Sequence, residues 1–154
     1  MGFDGTKGIK NIIINNYGLS DKDGEVKLKH YPGISVLTSM IDYRHEFEHV
    51  TKIGYVSRSD SYIEKNGIDR VNFLKIDVEG AEGLVLQGFE KSIGSGKIDI
   101  IQFEYGKVSI INRFILHYFY SFLCSMDLAW GKSILIMLIL GITISDMRIS
   151  SVPI

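Results

Sequence analysis

The stretch FLKIDVEGAEG, residues 73–83, constrains this chain more than any other segment. Its first half is apolar except for Lys75, which is the pattern of a buried strand. Asp77 and Glu79 follow on either side of a valine, and Gly80 permits a sharp turn before a helical pattern begins. The segment therefore predicts a strand–turn–helix unit whose carboxylates lie at one end of a sheet.

The composition is that of a globular protein. The 154 residues suffice for one domain, and 45% are hydrophobic while 23% are charged. A formal net charge of -1 gives no electrostatic reason to expect a nucleic-acid partner. The lone cysteine, Cys124, cannot form an internal disulfide, and the polar start of the chain is not a secretory signal. We therefore expect a cytoplasmic protein.

Strands and helices alternate along the sequence, which predicts an α/β fold with a mostly parallel sheet. Apolar or alternating runs indicate the strands, whereas a capping-box spacing and an i, i+3, i+4 pattern indicate the helices. The predicted strands cover residues 11–15, 25–29, 71–77 and 98–104, and the predicted helices cover residues 61–66 and 81–94.

Three acids follow strand ends in this prediction. Parallel α/β sheets bind ligands outside the carboxyl ends of their strands, and Asp77, Glu79 and Glu104 occupy such positions. A second interpretation stays open, because acids in these positions also cap the helix that follows. Glu79 fits either role, and Glu104 could be a solvated loop acid.

Several segments together resemble one family. FLKIDVEGAEGLVLQGF, residues 73–89, is similar to the central motif of FkbM-type S-adenosylmethionine-dependent methyltransferases. NNYGLSDKDGEV at 15–26, SDSYIEKNGIDRVNF at 59–73 and IDIIQFEYG at 98–106 resemble other parts of that family in the same order. The resemblance covers roughly residues 10 to 126.

The resemblance implies a partial Rossmann-like class I methyltransferase fold, three-layered and mostly parallel, in residues 1–126. It implies transfer of a methyl group from S-adenosylmethionine to a hydroxyl of a small molecule or sugar. Asp77 and Glu79 would be the catalytic residues. Leu19 and Ser20 would line the adenine, and Glu104 would join them in binding the cofactor.

The sequence departs from the family at its start. The glycine-rich turn after the family's first strand, and the acid that ends its second strand, have no counterpart here. We therefore expect a fold that lacks its first strands. A catalytically inactive fragment or an interaction module is the alternative function, because an exposed sheet edge invites self-association.

Residues 127–154 form a divergent apolar tail that does not resemble the family. Isoleucine and methionine codons begin with A-T, and reading the tail in another frame can give GKIYPNNVDSWDYDIRYEDFIGPN from residue 131 onward, close to the expected ending. We interpret the tail as the product of a frameshift between about Met126 and Gly131. Its apolar part, residues 134–144, is shorter than the roughly 20 residues of a membrane-spanning helix, so no membrane association is expected.

HEFEH, residues 45–49, matches the H-E-x-x-H pattern of zinc metalloproteases. On a helix, His45 and His49 would lie one turn apart and could bind zinc, with Glu46 as the base. The flanking residues are charged, which favours a solvated surface segment. The sequence therefore predicts no metal site, and a zinc metalloprotease is the remote alternative.

Overall fold

The computed structural model describes residues 11–32, 38–40, 48–130 and 135–141. These residues form the strands β1 (Gly18–Ser20), β2 (Gly24–His30), β3 (Val50–Arg58), β4 (Leu74–Ile76), β5 (Ile100–Gly106) and β6 (Leu135–Gly141). They also form the helices α1 (Ser59–Lys65), α2 (Glu82–Gly88), α3 (Glu90–Gly94), α4 (Lys107–Ile111) and α5 (Leu116–Trp130). The α/β class is as predicted.

The strands form two sheets of three strands each, instead of one. The first has the order β1-β3-β2, with β1 parallel and β2 antiparallel to β3. The second has the order β4-β5-β6 and is entirely parallel. The prediction of a mostly parallel sheet therefore holds for the second sheet only. In the described ranges no strand joins β1 to β4, so the partial Rossmann arrangement is not confirmed.

Helices pack on one face of the second sheet. Ile76, Ile101 and Phe103 point to that face and are at most 3% exposed. They share a core with Leu86 of α2 and Phe119 of α5, whose ring centroid lies 4.7 Å from that of Phe103. Burying these side chains supplies the main driving force for folding. The described residues thus form two layers here, and a three-layered arrangement is not confirmed.

The opposite face of the second sheet is polar near its carboxyl end. Side chains alternate along a strand, so Lys75 of β4 and Glu104 of β5 point away from the helices. Both are exposed to solvent. The functional residues predicted at this edge therefore remain accessible.

The single helix predicted for residues 81–94 is two helices that meet at Phe89. Asp60, 3% exposed, accepts hydrogen bonds from the amide nitrogens of Lys91 at 3.0 Å and Ser92 at 2.9 Å. It also accepts the hydroxyl of Ser92 at 2.7 Å. Free amide groups at a helix start need such an acceptor, so Asp60 of α1 provides an N-terminus for α3.

Two local predictions were wrong. Residues 11–15 form no strand, and Ile13 is 82% exposed, because no described strand pairs with them. The short helix near residues 61–66 exists, but it begins at Ser59 with Arg58 at its N-cap and no side-chain capping bond. The capping box predicted from Ser61 and Glu64 therefore does not form.

Part of the apolar tail belongs to the second sheet. β6 pairs in parallel with β5 along its whole length, with Leu135 opposite Ile100 and Gly141 opposite Gly106. The backbone of these seven residues is therefore part of a sheet, although they lie in the tail that does not resemble the family. Residues 142–154 lie outside the described part, and the frameshift stays a prediction. No helix among the described residues is long and apolar enough to cross a membrane.

Gly88 sets the approach of α2 to β1. A Cβ atom at this position would collide with the backbone carbonyl oxygen of Ser20, which cannot move without shifting β1. We therefore expect Gly88→Ala to lower the free energy of unfolding by about 2 kcal/mol, although alanine normally favours a helix. Urea unfolding followed by circular dichroism measures this. Gly18→Ala in β1 is the control, because its Cβ would lie at an ordinary contact distance of 3.6 Å from the Val56 side chain and should cost less. Equal losses in the two variants would contradict this account.

Candidate active site

The turn after β4 has an unusual backbone. Glu79 has φ 51°, in the left-handed region that residues other than glycine rarely occupy, and Gly80 has φ 98°. A left-handed conformation costs a residue with a Cβ roughly 1–2 kcal/mol, so other contacts must stabilise it. Glycine at the next position makes the turn into α2 possible.

Glu82 provides that stabilisation from the first residue of α2. Its side chain is only 2% exposed. One carboxylate oxygen accepts the amide hydrogens of Val78 at 3.4 Å and Gly80 at 3.0 Å. The other oxygen accepts the hydroxyl of Ser109 at 3.4 Å. A buried carboxylate is stable only with such donors, so Glu82 and the turn depend on each other.

Glu82 was not among the site residues predicted from the sequence. The signal available was an acid in the first helical turn, two residues after a glycine, where a side chain can bond back to the amides that precede the helix. The amphipathic pattern of the helix did not include position 82, so the pattern made no prediction for this side chain.

Two side chains from distant parts of the sequence hold the carbonyl groups of the same turn. Ser39 donates its hydroxyl to the carbonyl oxygen of Glu79 at 2.7 Å. Asn112, just after α4, donates its side-chain amide to the carbonyl oxygen of Gly80 at 3.0 Å. The turn is thus fixed from both sides, which gives Asp77 a rigid base.

Asp77 lies directly after β4, where the sequence predicted it. Its carboxylate accepts a hydrogen bond from the Lys75 ammonium at 2.8 Å, and 45% of its side chain is exposed. The parallel register pairs Ile76 with Phe103, so Glu104 is the next residue on the neighbouring strand at the level of Asp77. The structure therefore brings Asp77 and Glu104 to adjacent strands at one edge.

Both Asp77 and Glu104 affect the pKa of Lys75. The hydrogen bond that Lys75 donates to Asp77, and then the negative charge of Asp77, raise the pKa of the Lys75 ammonium above its usual value. The charge of Glu104 adds a smaller effect. The lysine is solvent-accessible, so this ion pair orients the Asp77 carboxylate more than it stabilises the fold.

Glu79 does not occupy the N-cap of the next helix. That position in α2 belongs to Ala81, which has no side-chain oxygen. Glu79 instead lies two residues before it, with a half-buried side chain. The capping interpretation left open by the sequence therefore does not describe Glu79, and the turn places it beside Asp77.

Leu19 and Ser20 lie near the end of α2, away from Asp77. Ser20 is 2% exposed, and its carbonyl oxygen accepts the hydroxyl of Ser59 at 3.3 Å next to Gly88. Leu19 packs partly buried against the core. Asp77 precedes the start of α2 whereas Ser20 faces its end, and seven helical residues span about 10 Å. The structure thus keeps Leu19 and Ser20 at the opposite end of α2 from Asp77, whereas Glu104 lies on the Asp77 side.

Sequence comparison identifies the family. The sequence model described as Methyltransferase FkbM domain matches residues 7–126, which is more than half of the chain. The chain belongs to the FkbM methyltransferase family. The match includes both ends of α2 and stops where the divergent tail begins at residue 127. No curated protein and no solved structure matches the chain significantly.

Methyl transfer is the general chemistry of this family, and its members generally use S-adenosylmethionine.

The described residues give no support to the metalloprotease interpretation of HEFEH. His45 and Glu46 lie outside the described residues, and Nε2 of His49 lies 2.9 Å from the Lys29 ammonium. Over the described ranges, no group of three His, Cys, Asp or Glu side chains could hold a metal ion.

Replacing Glu82 tests its role in holding the turn. Glu82→Ala leaves the buried Val78 and Gly80 amides without their acceptor, so we expect the free energy of unfolding to fall by about 2–4 kcal/mol. Glu82→Gln keeps one acceptor oxygen and should cost about half as much. Urea unfolding measures both. The exposed Glu90 at the start of α3 is the control, where alanine should change stability by less than about 0.5 kcal/mol. Similar losses at both positions would refute this role.

The Lys75–Asp77 pair can be tested by titration. Asp77→Asn should return the pKa of Lys75 toward 10.5, because the charge that raised it is gone. The wild-type pair stabilises the fold below the unfolded pKa of lysine and loses that contribution as pH rises through the higher folded pKa. NMR of the lysine side-chain carbons across alkaline pH measures the shift. Asp99→Asn, which alters the separate Arg70 pair, should leave Lys75 unchanged. An unaltered Lys75 titration in Asp77→Asn would rule out the pair.

Proposed function

We propose that this chain transfers a methyl group from S-adenosylmethionine to a hydroxyl group of a small molecule or sugar. The observation that supports this most is the position of Asp77. It combines a rigid backbone, fixed through Glu82, with an exposed carboxylate at the carboxyl end of a parallel strand. Ligands of parallel α/β sheets bind at that edge.

Asp77 would act on the acceptor. Its carboxylate would accept the hydrogen of a hydroxyl group, orient the oxygen, and take the proton while the new oxygen–carbon bond forms and the carbon–sulfur bond of the sulfonium breaks to leave a neutral thioether. Lys75, at 2.8 Å from one carboxylate oxygen, holds the carboxylate in place and leaves the other oxygen for the acceptor. Alignment of the two reacting groups would supply much of the rate.

The acids at this edge suit a cationic cofactor. S-adenosylmethionine supplies an electrophilic methyl group on a positively charged sulfonium, and negative side chains attract that charge. Glu104 would hold this end of the cofactor, and Glu79 would act with Asp77 on the acceptor. Leu19 and Ser20 do not adjoin these acids in the described residues, and the Ser20 carbonyl is engaged with Ser59. The adenine role of these two residues therefore has less support than the role of the acids.

Calorimetry with S-adenosylmethionine and methyl-transfer assays on a panel of sugars and hydroxylated metabolites test the proposal. We expect micromolar binding of the cofactor by the wild-type chain. Asp77→Asn should retain binding but reduce methyl transfer by about a hundredfold or more, because the proton acceptor is lost. Asp99→Asn is the matched control, since Asp99 also pairs with a cation but precedes β5 at the opposite end of the sheet.

An inactive fragment that serves as an interaction module is the second candidate. It is favoured by the separation of Ser20 from Asp77 and by the edge of β4 that pairs with no described strand. Absence of cofactor binding would refute autonomous methyl transfer and support this candidate. Binding with equal transfer rates for the wild type and Asp77→Asn would refute the role of Asp77 alone.

A further inference from the structure

Three isoleucines lie exposed just before β1. Ile12, Ile13 and Ile14 are 48%, 82% and 70% exposed. β-Branched residues favour strands, yet these three pair with no strand in the part of the chain that the structure describes. Such a run exposes both apolar side chains and backbone hydrogen-bonding groups.

The position of this run is fixed at its end. The side-chain amide of Asn15 donates a hydrogen bond to the hydroxyl of Tyr62 at 3.1 Å. The ring of Tyr17 lies edge-on to that of Tyr62, with 6.4 Å between the ring centroids. These contacts with α1 hold the neighbouring residues, so the isoleucines project from a defined site on the surface.

Residues 11–15, N-I-I-I-N, read the same in both directions. An antiparallel pair formed with a second copy, centred on Ile13, would align Ile12 with Ile14 and Asn11 with Asn15. The two chains would then be related by a twofold axis, as in most homodimers. Each isoleucine would meet an isoleucine, which is a favourable cross-strand pairing.

Charge does not oppose this pairing. Residues 11–18 contain no charged side chain, whereas exposed strand edges of monomeric proteins usually carry charges that prevent association. The chain has a formal net charge of only -1, so two copies do not repel each other strongly.

We propose that residues 11–15 pair with the same residues of a second copy and join two chains in a symmetric dimer. The inference is independent of the proposed methyl transfer. The exposed isoleucines at 110 and 111 lie on a helix and have no unpaired strand backbone to match a partner, which is why the dimer contact is assigned to the run before β1.

Sedimentation velocity of the full chain at micromolar concentration tests the dimer. We expect twice the mass of one chain for the wild type and a single-chain mass for Ile13→Asp, because two carboxylates would meet on the axis. Ile13→Lys should also be monomeric, and an equimolar mixture of the two variants should restore the dimer through opposite charges. Ile110→Asp, at a site that is 54% exposed, should leave the dimer intact. A monomeric wild type, or a dimeric Ile13→Asp, would overturn the proposal.

Crosslinking provides a second test, which reports whether the two copies of residue 13 lie opposite each other. Residues directly opposite in an antiparallel pair have Cα atoms about 4.5–5.5 Å apart, within the range of a disulfide. In a Cys124→Ser background, Ile13→Cys should therefore form a covalent dimer on mild oxidation. Ile53→Cys, similarly exposed at 56% on β3, should not. Equal crosslinking of the two variants would overturn the symmetric pairing. Circular dichroism of every variant confirms that it is folded.

Discussion

The buried carboxylate of Glu82 is the interaction on which the candidate site depends. Removing a carboxylate from water is unfavourable unless hydrogen-bond donors replace the water, and here two backbone amides and the Ser109 hydroxyl do so. The left-handed conformation of Glu79 is also unfavourable on its own. The buried carboxylate and the left-handed turn stabilise each other. The turn points its amides at the carboxylate, and the carboxylate keeps the turn in this conformation. The strand end that carries Asp77 is therefore rigid before any ligand arrives.

A second buried acid connects the helices to the first sheet. Asp60 accepts amide hydrogens at the start of α3. The hydroxyl of the neighbouring Ser59 lies within hydrogen-bond distance of two carbonyl oxygens, those of Ser20 in β1 and Val85 in α2. Gly88 allows α2 to approach β1 closely enough for this contact. The two sheets share no strand pair in the described ranges. Contacts of α1 and α2 with the first sheet, and the bond from Ser39 beside β2 to the Glu79 carbonyl, connect them.

The sequence predicted the strand–turn–helix unit correctly because its apolar run, acids and glycine are all local signals. It also placed Asp77 and Glu104 at neighbouring strand ends, since that follows from alternation of strands and helices. It failed where partners far along the chain decide the outcome. Asp60 divides residues 81–94 into two helices, and a lack of described partners leaves residues 11–15 outside any strand. Glu82 was missed although its position in the first helical turn was a local signal, and its third donor, Ser109, comes from a distant part of the chain.

The buried and the exposed acids around the candidate site have different roles. Glu82 and Asp60 are almost fully buried, and backbone amides already occupy their oxygens. Neither can exchange these donors for a substrate without disrupting a helix start. The partly exposed Asp77 carboxylate accepts a hydrogen bond from an exposed lysine side chain, and a substrate hydroxyl can join that lysine at little cost. Of the described acids around this edge of the second sheet, only the exposed ones are therefore available to react with a substrate. The buried acids stabilise the backbone that carries the exposed ones.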